Sequence, residues 1–183
     1  EAPPAGCPLY AVAFGPDDAA IFYGGEDRVL RRVAVRGDEP PVELHRFEID
    51  SDSAREIETL VLARHRIIVA YGGTLAGVDP VTGEVTWTWR HVDADQRGTV
   101  FHALAASCDG TLVAAGGTDR IAGLWETASG RQIATLPKHP HWIQGCRFSP
   151  DGTRLVTACR DGVVRTFDLL TASLESRFVG HAG

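Results

Sequence analysis

The sequence predicts an all-β fold made of four copies of one small antiparallel sheet, each of four strands. Three observations predict it. The stretch from His139 to Asp168 parses as three short strands divided by two turns, and the same phrase recurs along the chain at a spacing of 42 residues. Twenty glycines and ten prolines punctuate short apolar runs, and no amphipathic helix stands out between them.

His139 to Asp168 sets the pattern for the rest. Its first run places apolar residues at Ile143, Cys146 and Phe148, steps of three and then two. Strict alternation does not give that spacing, and one extra residue, a β-bulge, reconciles it. Ser149-Pro150-Asp151-Gly152 supplies the next turn, with proline setting φ, aspartate bonding the local backbone and glycine accepting positive φ. Arg154 to Cys159 is the second strand. Arg160-Asp161-Gly162 leads into the third, Val163 to Phe167, whose branched and aromatic residues suit a pleated surface.

Taken in order, residues 1–8 form a proline-rich lead-in. The first unit, 9–53, carries Leu9, Val12 and Phe14 at the bulged spacing and Gly24-Gly25 inside its second strand. Glu26-Asp27-Arg28 turns into its third strand, and Val42 to Ile49 reads as an exposed outer strand. The second unit, 54–96, is divergent. Ile57, Leu60 and Leu62 keep the spacing, Arg64-His65-Arg66 is a shortened hairpin, and Gly72-Gly73 matches Gly24-Gly25. The third unit, 97–138, follows the pattern without a gap, and the fourth occupies 139–180, so that 181–183 start a further repeat. The lack of any methionine fits a trimmed or processed piece of a longer polypeptide.

A net charge of -6 argues against a nucleic-acid surface or an acidic membrane as partner. No apolar run approaches the roughly 18 residues of a membrane span. The cysteines at 7, 108, 146 and 159 lack the close pairing of a zinc knuckle. Cys146 and Cys159 fall on strand positions and read as small buried thiols, a usage that leans intracellular.

Phe-Ser-Pro-Asp-Gly at 148–152, Asp161-Gly162, Leu124-Trp125-Glu126 and Gly180-His181 resemble the WD-repeat family of β-propellers, whose phrases of about 40–45 residues each give a four-stranded blade. The resemblance is strong in units three and four, moderate in unit one and poor in unit two. It implies a hydrogen-bonded set within each blade: His139, Thr157 and Asp161 in the fourth, Asp119 and Trp125 in the third. Phe167 stands where the fourth blade would need a donor, and Arg97 and Ala115 depart from the third set. Apolar packing must therefore do most of the holding.

The resemblance also implies a rim where the inner strands begin. Residues at the bulge, or before each turn aspartate, should face it: Tyr10 and Glu26, Glu56 and Glu58, His102 and Thr118, then Trp142, Gln144 and Arg160. A tryptophan beside an arginine has the composition of a binding hot spot. The implied function is a non-catalytic scaffold that docks protein partners through this rim, with no cofactor, no metal and no catalytic residue. The alternative is a ligand-sensing or enzymatic propeller with a central-funnel site, because Asp79 to Trp87 resembles the blade motif of quinoprotein propellers. His139-Pro140-His141 lacks further ligands at metal spacing. Asp50-Ser51-Asp52 and Asp93-Ala94-Asp95 lack the glycine and distal glutamate of a calcium loop. Leu30-Arg31-Arg32 reads as alternating outward side chains. Four blades in an open row leave two apolar faces bare, so the remaining blades of a longer chain, or a second copy, are expected to complete the ring.

Overall fold

A computed structural model describes residues 7–16, 18–48, 56–90 and 99–180. The lead-in up to residue 6, the acidic linkers around Asp52 and Asp93, Arg97 and the residues after Gly180 lie outside that set. Sixteen strands form four antiparallel sheets, each in plain sequential order. Sheet 1 holds β1 (Leu9–Phe14), β2 (Ala20–Gly25), β3 (Val29–Ala34) and β4 (Val42–Arg46). Sheet 2 holds β5 (Ile57–Ala63), β6 (Arg66–Tyr71), β7 (Thr74–Val78) and β8 (Val85–Arg90). Sheet 3 holds β9 (Phe101–Ala106), β10 (Leu112–Gly117), β11 (Ala122–Glu126) and β12 (Gln132–Thr135). Sheet 4 holds β13 (Ile143–Phe148), β14 (Arg154–Cys159), β15 (Val163–Asp168) and β16 (Ser173–Val179). No helix long and apolar enough to cross a membrane occurs among the described residues.

The odd apolar spacing of the inner strands has the expected cause. Register shifts fall between Leu9 and Ala11, between Ile57 and Thr59, and between Ile143 and Gly145, one extra residue each time. The hairpins of sheets 3 and 4 are closed by aspartate. Asp109 accepts from Ser107 Oγ (2.6 Å) and the Thr111 amide (3.0 Å), and Asp151 does the same with Ser149 Oγ (2.5 Å) and the Thr153 amide (3.1 Å). Those bonds pull both carboxyls down to about 2.

The sheets stack side by side through their inner strands, β1 on β5, β5 on β9 and β9 on β13. Between sheets 1 and 2 the core joins Ala11, Phe22, Leu30 and Phe47 to Ile57, Leu60 and Val69. Sheets 2 and 3 close over Ile68, Leu75, Phe101, Leu104 and Trp125, and sheets 3 and 4 over Ala114, Leu124, Ile143, Leu155 and Phe167. Glycine makes room for this stacking. A Cβ on Gly116 would stand 3.0 Å from the Ile143 side chain, and one on Gly24 would stand 2.5 Å from Ile57 Cδ1.

Three expectations are corrected. Gly72 and Gly73 do not sit inside a strand as Gly24 and Gly25 do; with φ of 50° and 78° they form the two-residue turn between β6 and β7. Arg31 and Arg165 do not point outward into water. Arg31 is 2% exposed between Asp27 (2.5 Å) and Glu43 (2.8 Å), and Arg165 is clamped by Asp161. The outer strand of sheet 1 ends at Arg46, and Phe47 turns back into the core against Tyr71, their rings 4.2 Å apart.

Two faces have no sheet against them. Val12, Phe14, Ile21, Tyr23 and Val33 share, by register, the face of sheet 1 turned from sheet 2. Val156, Ala158, Val164 and Phe178 share the face of sheet 4 turned from sheet 3. Val12 is 69% exposed, Phe14 59% and Phe178 58%.

Candidate functional site

Antiparallel pairing brings the start of each inner strand beside the end of the second strand, Leu9 to Gly25, Ile57 to Tyr71, Phe101 to Gly117 and Ile143 to Cys159. Four bulges and four turns therefore converge on one rim. Below it the inner strands line a cleft of ≈ 1010 Å³, with Tyr10, Val12, Leu60, His102, Gln144 and Arg147 on its walls.

On sheet 4 the rim is built around Trp142. The Arg160 amide donates to the Trp142 carbonyl (2.9 Å), tying the lead into β13 to the β14–β15 turn. That bond sets the Arg160 guanidinium over the indole, 5.0 Å from its centroid. His102, from the bulge of sheet 3, brings its ring to 6.0 Å from the same indole, and His141 lies edge-on at 5.5 Å. Trp142 is 37% exposed, so one indole is shared between two sheets and water. Partial burial, then the Arg160 charge, lowers the His102 pKa, which keeps its imidazole neutral at pH 7. Gln144 projects from the sheet 4 bulge and is exposed.

Sheets 1 and 2 give the rim a different character. Tyr10 is 51% exposed, and its hydroxyl pKa is raised by loss of water and then by the Glu56 and Glu26 charges. Glu26 is exposed and Glu56 half-buried. Glu58 is turned inward. Its Oε2 accepts the Phe101 amide of sheet 3 at 2.6 Å, a stitch between neighbouring sheets. Its Oε1 is buried with no hydrogen bond among the described residues. Burial, seconded by Glu56, pushes its carboxyl up to about 7 against the pull of the Phe101 and Gly72 amides. Thr118 is likewise spent within the fold, its Oγ1 accepting the Val100 amide (3.0 Å).

The blade network divides into pairs. His139 is 2% exposed, its Nε2 lies 2.8 Å from Thr157 Oγ1, and its amide donates to the Arg120 carbonyl. Burial and then Arg165 lower its pKa, so the ring is neutral. Asp161 is held by Arg165 Nη1 (3.1 Å) and Nη2 (2.6 Å), which keeps its carboxyl well below the usual range. Asp119 accepts the Ile121 amide at 3.1 Å. Trp125 is buried edge-on to Trp89 at 4.8 Å, and its indole N–H meets no acceptor among the described residues.

The stretch that resembled a quinoprotein motif serves as a turn and an outer strand. Asp79 Oδ1 accepts the Val81 and Thr82 amides at 2.8 Å each, and Trp87 Nε1 donates to the Thr127 carbonyl of sheet 3 at 2.9 Å. The cysteines are free thiols, and burial pushes Cys146 up to about 12, far from a nucleophilic thiolate. Among the described residues no group of three or more His, Cys, Asp or Glu is placed to hold a metal.

The Glu58 and Trp87 links between sheets were missed by the sequence reading, and no local pattern marks them. The buried Arg31 was also missed, although a signal existed: Asp27 to Arg31 and Asp161 to Arg165 repeat one spacing in two units.

Residues 130–168 match the WD domain, G-beta repeat family. The nuclear distribution protein nudF of Aspergillus terreus is 40% identical over 74 residues, 40% of this chain and 16% of that protein. The nuclear distribution protein PAC1 of Gibberella zeae is 34% identical over 100 residues, 50% of this chain and 20% of its own length. The DENN domain and WD repeat-containing protein SCD1 of Arabidopsis thaliana is 32% identical over 72 residues, 39% of this chain and 6% of that protein. The match thus spans a fifth or less of each of these relatives.

Proposed function

We propose that this chain, which belongs to the WD-repeat family, is a non-catalytic scaffold that docks protein partners through the rim of its stacked sheets. The shared Trp142 carries the reading. Arg160, His102 and His141 surround one half-exposed indole on a base of four hydrogen-bonded sheets, the rigid, aromatic and cationic composition of an interaction hot spot. The strongest polar contacts support a structural rather than chemical use of the ionisable groups. Asp161 is committed to Arg165, Asp109 to its own hairpin and Glu58 to the next sheet.

The rim includes Tyr10, Glu26 and Glu56 as well as His102, Trp142, Gln144 and Arg160. The two open faces are seats for further blades, supplied by a longer chain or a second copy. Their exposed Val12, Phe14 and Phe178 support this, because apolar surface of that kind gains by leaving water. The unpaired thiols support an intracellular setting.

The test is partner capture with Trp142→Ala combined with Arg160→Ala. The variant should fold as the parent does and lose partners that the parent retains. Unchanged capture by a folded variant would remove the rim from the account. Absorbance and metal analysis of the purified chain test the non-catalytic part: a stoichiometric redox cofactor or metal would revive the funnel-enzyme alternative.

A further inference from the structure

Arg160 is exposed and has no carboxylate partner among the described residues, since its neighbour Asp161 is taken by Arg165. It is nonetheless held in place, its amide bonded to the Trp142 carbonyl and its guanidinium resting on the indole. An ordered and unpaired guanidinium loses little freedom when it binds a carboxylate in two-point contact. Arg120 and Lys138 are exposed nearby, linked to the same corner by the His139 amide on the Arg120 carbonyl. The Gln144 carboxamide stands ready as a further donor. On sheets 1 and 2 the equivalent positions hold Glu26, Glu56 and Glu58 instead. The rim therefore attracts negative charge at one half and repels it at the other.

Resting on the rim-docking reading, we infer that the corner formed by Arg160, Trp142, Gln144 and His102 seats an acidic peptide segment of a protein partner. One carboxylate of that segment pairs with the Arg160 guanidinium, and the chain runs across the indole away from Glu26 and Glu56. Indole and guanidinium contribute contact area and charge, and the carboxylates opposite fix direction by excluding the reverse placement.

The experiment uses the whole 183-residue chain and two labelled peptides of equal length, one alternating Glu with Ser, the other Lys with Ser. Anisotropy titrations at low salt should show the Glu peptide binding and the Lys peptide failing to bind. Arg160→Gln should weaken the Glu peptide about tenfold and Arg160→Lys less, because lysine keeps the charge and loses the fork. Arg64→Gln, at the opposite end of the sheets, should change nothing. Thermal melts of each variant confirm an intact fold. Wild-type affinity in Arg160→Gln, equal binding of both peptides, or binding of neither would overturn the inference. A Lys peptide that binds and is lost in Trp142→Ala would overturn the charge assignment and leave rim docking standing. Failure of rim docking itself is read separately, from partner capture by the double variant.

Discussion

Replacing Glu58 with glutamine should stabilise this protein above neutral pH and leave it unchanged in acid. The carboxyl is raised from 4.5 to about 7, chiefly by burial between sheets 2 and 3. A raised acid favours its protonated form in the folded state. Its contribution is therefore fully present below pH 4.5, is lost as pH rises towards 7, and stays lost above it. At 1.36 kcal/mol per pH unit that gap sets an upper bound of roughly 3 kcal/mol, and residual solvent contact reduces it to about 1–3 kcal/mol. Glutamine keeps a carbonyl oxygen for the Phe101 amide and carries no charge to bury. For a chain of this size the midpoint should rise by about 3–10 °C at pH 8. Thermal melts of both proteins at pH 4 and pH 8 measure it. A variant that is less stable at pH 8, by as much as in acid, would show that the charged carboxylate is a needed acceptor and refute the argument.

Gly116→Ala should cost about 1–3 kcal/mol in denaturant titration, because its Cβ would stand 3.0 Å from Ile143 and force sheets 3 and 4 apart. Asp161→Ala should cost about 3 kcal/mol or more at pH 7, since it leaves the nearly buried Arg165 guanidinium unpaired, whereas Asp161→Ala with Arg165→Met should recover part of the loss. In alkylation followed by mass spectrometry at pH 8, the exposed Cys108 should react and the native Cys146 should stay unmodified until the fold opens. Thr157→Val should cost about 1–2 kcal/mol by leaving the buried His139 ring without its 2.8 Å partner.

Local chemistry was legible in the sequence. The bulge at Ile143 showed in a three-then-two spacing, and Ser149 to Gly152 announced its turn because short polar side chains bond only their near backbone. Hence strands, turns and repeat length could be read directly. The second unit defeated the same logic at Gly72-Gly73, where the identical dipeptide serves a strand in two units and a turn in the third. What separates these uses is the residue across the sheet, which the linear pattern does not contain. Glu58 and Arg31 were opaque for a related reason: whether a charged side chain at a rim or strand position meets water or a neighbour depends on how blades stack. Trp142 and Arg160 were nameable as a pair, while the third member, His102, comes from another unit and became visible only when sheets 3 and 4 were set side by side.

Sedimentation equilibrium of the isolated chain, alongside Phe14→Glu, tests most directly whether these sheets are units completed by stacking. Bare end faces should make the parent associate with rising concentration above its 19.7 kDa monomer mass, and the glutamate variant should shift the equilibrium back towards monomer. A parent that stays monomeric at every concentration, indistinguishable from Phe14→Glu, would contradict the account.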